Sequence, residues 1–501
     1  MKKLMMTNFV RIFLILMLSA WGVQQLSLPQ QPARSSSFIA SGDVSLAGVS
    51  PDANPLGITT GAHIRPVIEY DNAVSSFNNL AGKEAGVIMY FLDWGSLGTV
   101  FDPYLLQKLK EIYPTGGPAI MLTWQPINGR ANLDGQSACD QDYNITIPLD
   151  SIIAGKCDNY IRRFAQAIKA RPERFLLRFA HEMNITDTPW WPGHFGQDAS
   201  TYIAMWQHVY QVFTSQGVTN AEWVWSPNYA SNPPDAWNNI HNYYPGDAYV
   251  NWIGLSGYSW YNASPTPVPW KSFQTLFDSV LKDMTCRYAK PQLIAEIGTV
   301  EGSGGKANWI LDAYAQIPNY PFLRGAFWFN DFAYADPTRA DFRVTTSSDI
   351  SSGNVTPLEP YTTAYRLAVA NSVYISSLPS LSSATPPQAY CGNGEAAIIR
   401  VGPSAIMIRP GEQAIFSISA MLISSDKTVT YQLPAGVGLT GSLAASTLTA
   451  PWDDTTLTVF SSSSTPLGNH TITISVGGQP YSVALMVAST IHKLYLPAIN
   501  R

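Results

Sequence analysis

Along residues 57–332, short apolar runs rich in Ile, Val, Phe, Tyr and Trp alternate with longer amphipathic stretches. The runs at 58–64, 85–94, 118–126, 175–184, 221–227, 252–261, 292–298 and 323–331 have the length and side-chain type of buried strands. Residues 159–170, 200–216 and 306–317 repeat apolar side chains at i, i+3 and i+4, which predicts helices with one buried face. Ser200 stands at the position of an N-cap. Strands that alternate with helices predict a parallel sheet. Eight of them in a stretch of this length predict a closed (β/α)₈ TIM barrel, typically about 250 residues, within a first domain at 45–375. An open doubly wound sheet would call for a glycine-rich nucleotide turn after the first strand, and none is present.

Near residue 376 the texture changes. "SSLPSLSSATPPQAY" predicts a Ser/Pro-rich linker over 376–392. Short alternating runs separated by Gly, Pro, Asn and Asp then predict a small antiparallel all-β sandwich over 393–490. It resembles the immunoglobulin-like modules appended to secreted bacterial enzymes. It carries no cluster of acid, base or metal ligands, so a spacer or stabilising role is expected, with carbohydrate or cell-wall binding as the alternative. Residues 491–501 read as a tail.

At the other end, Lys2, Lys3 and Arg11 precede an apolar stretch at 12–23. It is too short for a bilayer, which needs about 20 residues, so residues 1–28 read as a secretory signal, with an uncleaved anchor as the alternative. No later segment is long and apolar enough to span. Cys139, Cys157, Cys286 and Cys391 suit an exported chain with two disulfides, and none forms a C-x-x-C metal or redox pair. Three pairings are open; Cys139 with Cys157 and Cys286 with Cys391 are favoured. With 13% charged residues, a net charge of −5 and no basic block, the electrostatic footprint of a nucleic-acid binder is missing. Aromatic residues make up 12% of the chain, including 15 Trp, and their flat apolar faces suit sugar rings as well as cores.

The chemistry concentrates at strand ends. In such a barrel, catalytic groups sit at the C-terminal ends of the strands. Glu182 closes the fourth expected strand and Glu296 lies near the end of the seventh, so the fold brings two carboxyl groups from distant parts of the chain to one rim. Glycoside hydrolysis uses such a pair, one carboxylic acid to protonate the leaving oxygen and one carboxylate to attack or to activate water. An alternative for Glu182 is a structural pairing with Arg178 on the same strand face. "HEMNI" lacks the second histidine of a zinc-protease helix, and no G-x-S-x-G elbow is present, so metal and serine-hydrolase chemistry are not expected. Trp94 and Trp124 lie at other strand ends, where they either stack on sugar or pack.

The motifs "RFAHEMN" at 178–184, "VWSPN" at 224–228, "YPGDAYVNWIGLSGY" at 244–258, "AEIG" at 295–298 and "FWFND" at 327–331 occur in the order found in glycoside hydrolase family 26, the β-mannanase family, which the chain resembles over about 55–335. The resemblance implies Glu182 as acid/base and Glu296 as nucleophile. It implies His181 as the active-site histidine, Tyr258 as a hydrogen-bond donor to the nucleophile, and Trp328 as the floor of the sugar subsite at the point of cleavage. Arg178, Trp124, Trp190 and Trp191 are further candidates for the substrate cleft. Asn251 stands where the family motif commonly has Asp. The implied activity is a secreted, retaining, endo-acting β-glycanase, with β-1,4-mannan as substrate and β-1,3-1,4-glucan or xylan as alternatives. A non-catalytic carbohydrate-binding barrel is the rival from another class. The expected partner is a polysaccharide, the expected state is a monomer, and neither metal nor organic cofactor is implied.

Overall fold

The computed structural model describes residues 56–64, 73–94, 117–128, 139–140, 146–260, 270–301, 305–331, 341–347, 355–386, 398–402, 405–421, 423, 425–450 and 452–489. The expected signal, the tail at 491–501 and Cys391 lie outside these residues. Eight parallel strands, β1 (Ile58–Ile64), β2 (Val87–Trp94), β3 (Ala119–Asn128), β4 (Phe175–Phe179), β5 (Ala221–Trp225), β6 (Trp252–Ser259), β7 (Gln292–Thr299) and β8 (Leu323–Asn330), pair in sequence order. Pairing of β1 with β8 closes the sheet, so the fold is a TIM barrel. The connecting helices include α1 (Ala73–Ala81), α2 (Leu149–Ile153), α3 (Asp158–Lys169), α4 (Ala199–Thr214), α5 (Phe273–Arg287) and α6 (Lys306–Gln316), followed by α7 (Tyr361–Val369). Between β5 and β6 the chain forms three short 3₁₀ turns in place of an α-helix.

Two local expectations change. Helix α4 is capped by Asp198, whose carboxylate accepts the Ser200 backbone N–H at 2.9 Å; Ser200 lies inside the helix. An ionised carboxylate at a helix N-terminus also meets the positive end of the helix dipole, which favours Asp over Ser for the cap. Strand β4 stops at Phe179, short of the expected 184, because Ala180 and Glu182 adopt positive φ of 42° and 53°.

Strand alternation divides the side chains into two layers. Val87, Met89, Ala119, Met121, Leu176, Val224, Trp252, Leu293, Ala295 and Phe327 fill the barrel interior. Gly61 makes room for Phe327, since a Cβ at that position would lie 2.5 Å from its ring. The opposite faces meet the helices, and there Trp94, Trp124, Tyr160, Phe164 and Phe179 stack among themselves. Trp94 and Trp124 are therefore core residues on the outer face of the barrel wall, so the packing reading holds for both and Trp124 is no substrate contact.

The first part of the expected linker belongs to the barrel. A two-residue strand, β11 (Tyr374–Ile375), pairs parallel to β1. Residues 376–386 then cross the N-terminal ends of the strands, where helix α8 (Leu381–Ala384) inserts Ala384 into the interior cluster alongside Leu378 and Leu381. Thr59 donates to the Ser377 carbonyl at 3.0 Å, and Arg174 donates to the carbonyls of Leu378 and Pro379 at 3.0 and 2.8 Å. The serines and prolines thus sit at turn and cap positions around three apolar residues that close the barrel floor. A short antiparallel pair, β9 (Thr345–Ser347) and β10 (Val355–Pro357), precedes α7. Cys139 is bonded to Cys157, and Cys286 is also disulfide-bonded.

The C-terminal unit is a two-sheet sandwich. One sheet has the order β12 (Ile398–Gly402), β14 (Gln413–Met421), β18 (Trp452–Ser461), β16 (Leu439–Leu443). The other runs β13 (Ala405–Ile408), β20 (Gln479–Val487), β19 (Gly468–Val476), β15 (Lys427–Gln432), β17 (Thr447–Leu448). Phe416, Ile418, Leu457 and Val459 from the first sheet meet Ile472, Ile474, Val483 and Leu485 from the second. Among the described residues every pairing in this unit is antiparallel except β13 with β20, which is parallel, so the second sheet is mixed and not wholly antiparallel as expected. β19 and β20 are joined by Gly477 and Gly478, both at positive φ, as a two-residue hairpin turn requires.

Because Ala384 is fully buried in the barrel floor, Ala384→Asp is expected to cost about 3 kcal/mol or more in denaturant unfolding, the penalty of an uncompensated buried charge. A residue in a flexible linker would show no measurable change.

Candidate active site

The site is built at the C-terminal mouth of the barrel around Arg178. Its side chain points inward from β4 and is 0% exposed. One guanidinium nitrogen donates to Oε1 of Glu296 on β7 and, at 3.2 Å, to the Thr123 hydroxyl on β3. The second terminal nitrogen donates to the Ser256 hydroxyl on β6, and Nε donates to the Ser226 hydroxyl beyond β5 at 2.8 Å. A guanidinium removed from water needs this many acceptors to offset its lost hydration. Arg178 therefore pairs with Glu296 and not with Glu182, and it positions the nucleophile candidate without an exposed surface for substrate.

Glu296 reaches this interior through an irregularity. Leu293 and Ala295 already face inward, so simple alternation would turn Glu296 outward. The pairing shifts from Leu255–Ile294 to Ser256–Glu296, and opposite β8 from Ile294–Ala326 to Ile297–Trp328. This β-bulge places one extra residue in β7 and aims the carboxylate at Arg178, a use of bulges seen beside active sites. The second carboxylate oxygen of Glu296 accepts the Tyr258 hydroxyl. Burial, followed by the charges of Glu296 and Glu182, pushes the Tyr258 phenol well above its ordinary range, so it remains a donor.

Glu182 lies in the turn after β4, and its left-handed backbone is fixed from several sides. Its N–H donates to the Ser226 carbonyl at 2.7 Å, and its own carbonyl accepts the Thr188 hydroxyl at 3.3 Å. The neighbouring carbonyls are also held, that of Ala180 by Tyr202 at 3.1 Å and that of His181 by the Trp190 indole at 2.6 Å. Such over-determination keeps a non-glycine residue at positive φ. The Glu182 carboxyl accepts from Asn228 at 3.2 Å. Burial, reinforced by the charge of Glu296, raises its pKa to about 7. One carboxyl is thus ready to hold a proton at neutral pH while the other is bound by an arginine and a tyrosine.

The remaining candidates divide. His181 is buried beside Glu182, with its ring 5.2 Å from Trp190 and 5.9 Å from Phe91. Burial and the Arg178 charge push its pKa well below the usual histidine range, so the ring is neutral. Trp190 is 1% exposed and anchors His181, so it supports the site and is not a sugar contact. Trp328 faces away from the cleft, toward Trp309 and Tyr365, because alternation turns its neighbours Phe327 and Phe329 inward. It is not the subsite floor; Phe329 takes that inward position, packed on His63, Phe91 and Tyr258. The Trp328 indole donates to the Phe342 carbonyl at 2.9 Å, and Phe342 in turn packs 4.8 Å from Tyr258. Lys306 donates to the carbonyls on both sides, Asp341 and Arg343, each at 2.8 Å. Asn251, the departure from the family motif, accepts the Trp223 N–H at 2.7 Å, which ties the start of β6 to β5.

Trp191 is the candidate that remains at the surface. Its ring lies against Gly193, where a Cβ would approach to 2.1 Å, and its centroid is 6.1 Å from that of Trp237, which is 53% exposed. Asn238 accepts from the Trp191 indole and donates to the Asn184 carbonyl, so this aromatic pair is tied to the Glu182 turn. Trp237 lies in the irregular β5–β6 segment, where no strand or helix period marks it.

Residues 147–316, which contain both carboxylates, match the model of Glycosyl hydrolase family 26. Endoglucanase H of Acetivibrio thermocellus is 30% identical over 264 residues, 52% of this chain and 26% of that protein, so the chain spans about a quarter of this curated relative. Among solved structures, a GH26 beta-mannanase from Bacteroides ovatus is similar at 18% identity and a TM-score of 0.46, covering 65% of this chain and 91% of the other. The GH26 domain of an endo-beta-mannanase/endo-beta-glucanase from Prevotella bryantii is similar at 16% identity and a TM-score of 0.44, covering 64% and 91%.

The two carboxyls are expected to differ in their effect on stability. Glu296→Ala strands the buried Arg178 cation and is expected to cost about 3 kcal/mol in urea unfolding. For Glu182, a folded pKa raised above the unfolded value makes stability fall as pH rises from about 4.3 through about 7. Glu182→Gln is therefore expected to flatten that part of the stability–pH curve and to leave the protein no less stable at pH 8.

Proposed function

We propose that the barrel is a glycosyl hydrolase of family 26 that cleaves a β-linked polysaccharide by double displacement. The observation that carries this reading is the unequal carboxyl pair, Glu182 raised to about 7 and Glu296 held by Arg178 and Tyr258. In the first step Glu296 attacks the anomeric carbon while Glu182 donates its proton to the departing glycosidic oxygen. The bond to the leaving sugar breaks as the glycosyl–Glu296 ester forms. Glu182, now ionised, takes a proton from water, which displaces Glu296 and restores both groups with net retention of configuration. Neutral His181 and the Asn228 amide line the acid's side of the cleft. Trp191 and Trp237 offer an aromatic face to the leaving portion of the chain.

The substrate we favour is β-1,4-mannan, attacked within the chain. A β-glucan is the second reading, favoured by the similarity to an endoglucanase. We read the protein as secreted and monomeric, and the C-terminal sandwich as an immunoglobulin-like spacer.

Wild type, Glu182→Gln and Glu296→Gln are to be compared on mannan, lichenan and xylan. Each substitution is expected to lower release of reducing ends by about 10²-fold or more. Loss of less than tenfold in both would remove the assignment, and no cleavage by wild type would favour the binding-module reading. Because Glu182 must be protonated to act, kcat/KM is expected to decline as pH rises through about 7. NMR of early products is expected to show the β-anomer first.

A further inference from the structure

The wall of the barrel mouth facing the nucleophile carries two polar side chains with no hydrogen-bond or ion-pair partner among the described residues. Alternation on β2 sends Val87, Met89, Phe91 and Asp93 inward; on β3 it sends Ala119, Met121, Thr123 and Gln125 inward. Asp93 and Gln125 are direct neighbours in the β2–β3 ladder. They stand one step beyond the Trp124–Phe179 pairing, level with the start of the Glu182 turn. Gln125 is 4% exposed. Neither side chain makes a hydrogen bond or an ion pair with any described residue. Burial alone raises the Asp93 carboxyl to about 6.

Asp93 is partly exposed and the polar atoms of neither side chain are sealed from solvent, so this adjacent carboxyl and amide stand open at the barrel mouth to water or to the hydroxyl groups of a ligand. Their position indicates which one. In a closed eight-stranded sheet β2 lies across from β6 and β3 across from β7. Asp93 thus faces the wall that bears Tyr258, and Gln125 faces the wall that bears Glu296. The floor between these walls is aromatic, with Phe329 centred 6.1 Å from Phe91 and both rings 5.1 Å from His63. A sugar ring that presents its anomeric carbon to Glu296 has its far-side hydroxyls directed at Asp93 and Gln125.

We propose that Asp93 and Gln125 bind the hydroxyl groups of the sugar unit undergoing cleavage and thereby select the backbone sugar. This rests on the reading of Glu182 and Glu296 given above. The Asp93 carboxylate accepts from two vicinal hydroxyls, and the Gln125 amide both donates and accepts. Epimers differ in the direction of one hydroxyl, so a rigid pair of this kind distinguishes manno from gluco backbones.

The test uses the full chain carrying Glu182→Gln, alone and combined with Asp93→Ala, Asp93→Asn or Gln125→Ala, titrated calorimetrically with mannotetraose and cellotetraose. Each added substitution is expected to weaken the preferred tetrasaccharide about tenfold or more, the effect of losing a hydrogen bond to a charged or buried group. The ratio between the two ligands is expected to change. The melting midpoint of Asp93→Asn at pH 8 is expected to equal or exceed that of its parent, because the substitution removes an unpaired, partly buried charge. Affinities within twofold of the parent, a lowered midpoint in Asp93→Asn, or no binding of either tetrasaccharide by the parent would overturn the proposal. Undiminished hydrolysis by Glu182→Gln, with affinity still lost in the Asp93 variants, would instead remove the catalytic reading and leave the binding role standing.

Discussion

The arrangement at the barrel mouth depends on one buried guanidinium. Arg178 has no contact with solvent, so its charge is tolerable only while β3, β5, β6 and β7 present acceptors to it. These four strands belong to four different β/α units, and closure of the sheet is what brings them within reach. The arginine also joins the two carboxyls electrostatically, through a direct ion pair with Glu296 and through its charge, which works against the upward shift of Glu182. Removing its partner would unbalance the core and the site together.

Regular geometry gives way where the two carboxyls are placed. A bulge in β7 turns Glu296 inward, and a left-handed turn after β4 carries Glu182 off the strand. The turn is locked by hydrogen bonds with Ser226, Tyr202, Trp190 and Thr188, and the Glu296 carboxylate that the bulge presents is held by Arg178 and Tyr258. Local strain of this kind persists only under such restraint, and it fixes the two groups relative to each other more narrowly than two side chains on ideal strands would be.

The aromatic residues follow a simple division. Trp94, Trp124 and Trp328 lie on the helix-facing side of the barrel wall, while Phe91, Phe329 and Tyr258 face the cleft and Trp191 and Trp237 remain at its surface. Trp328 still acts on the site at one remove, by holding Phe342 behind Tyr258. The same wall thus keeps these three tryptophans out of the reacting volume and uses them to stiffen it.

Periodicity and composition were enough to place eight strands, three helices and the closed barrel, because burying an apolar strip or run depends on near-neighbour spacing that the chain itself carries. The pairing of two strand-end glutamates was legible for the same reason. What the sequence could not settle was the direction of individual side chains. Trp328 and Trp124 fell on the wrong face for sugar, Arg178 chose Glu296 over the nearer Glu182, and residues 376–386 became a barrel floor instead of a linker. Asp93, Gln125 and Trp237 carry no motif at all. In each case the outcome depends on strand register, on a one-residue bulge or on which remote elements meet, and a shift of one position moves a side chain to the opposite face. The sequence by itself determined the barrel and the two carboxyls; only the closed sheet decided which groups face them, because those neighbours are set by contacts between strands that are far apart along the chain.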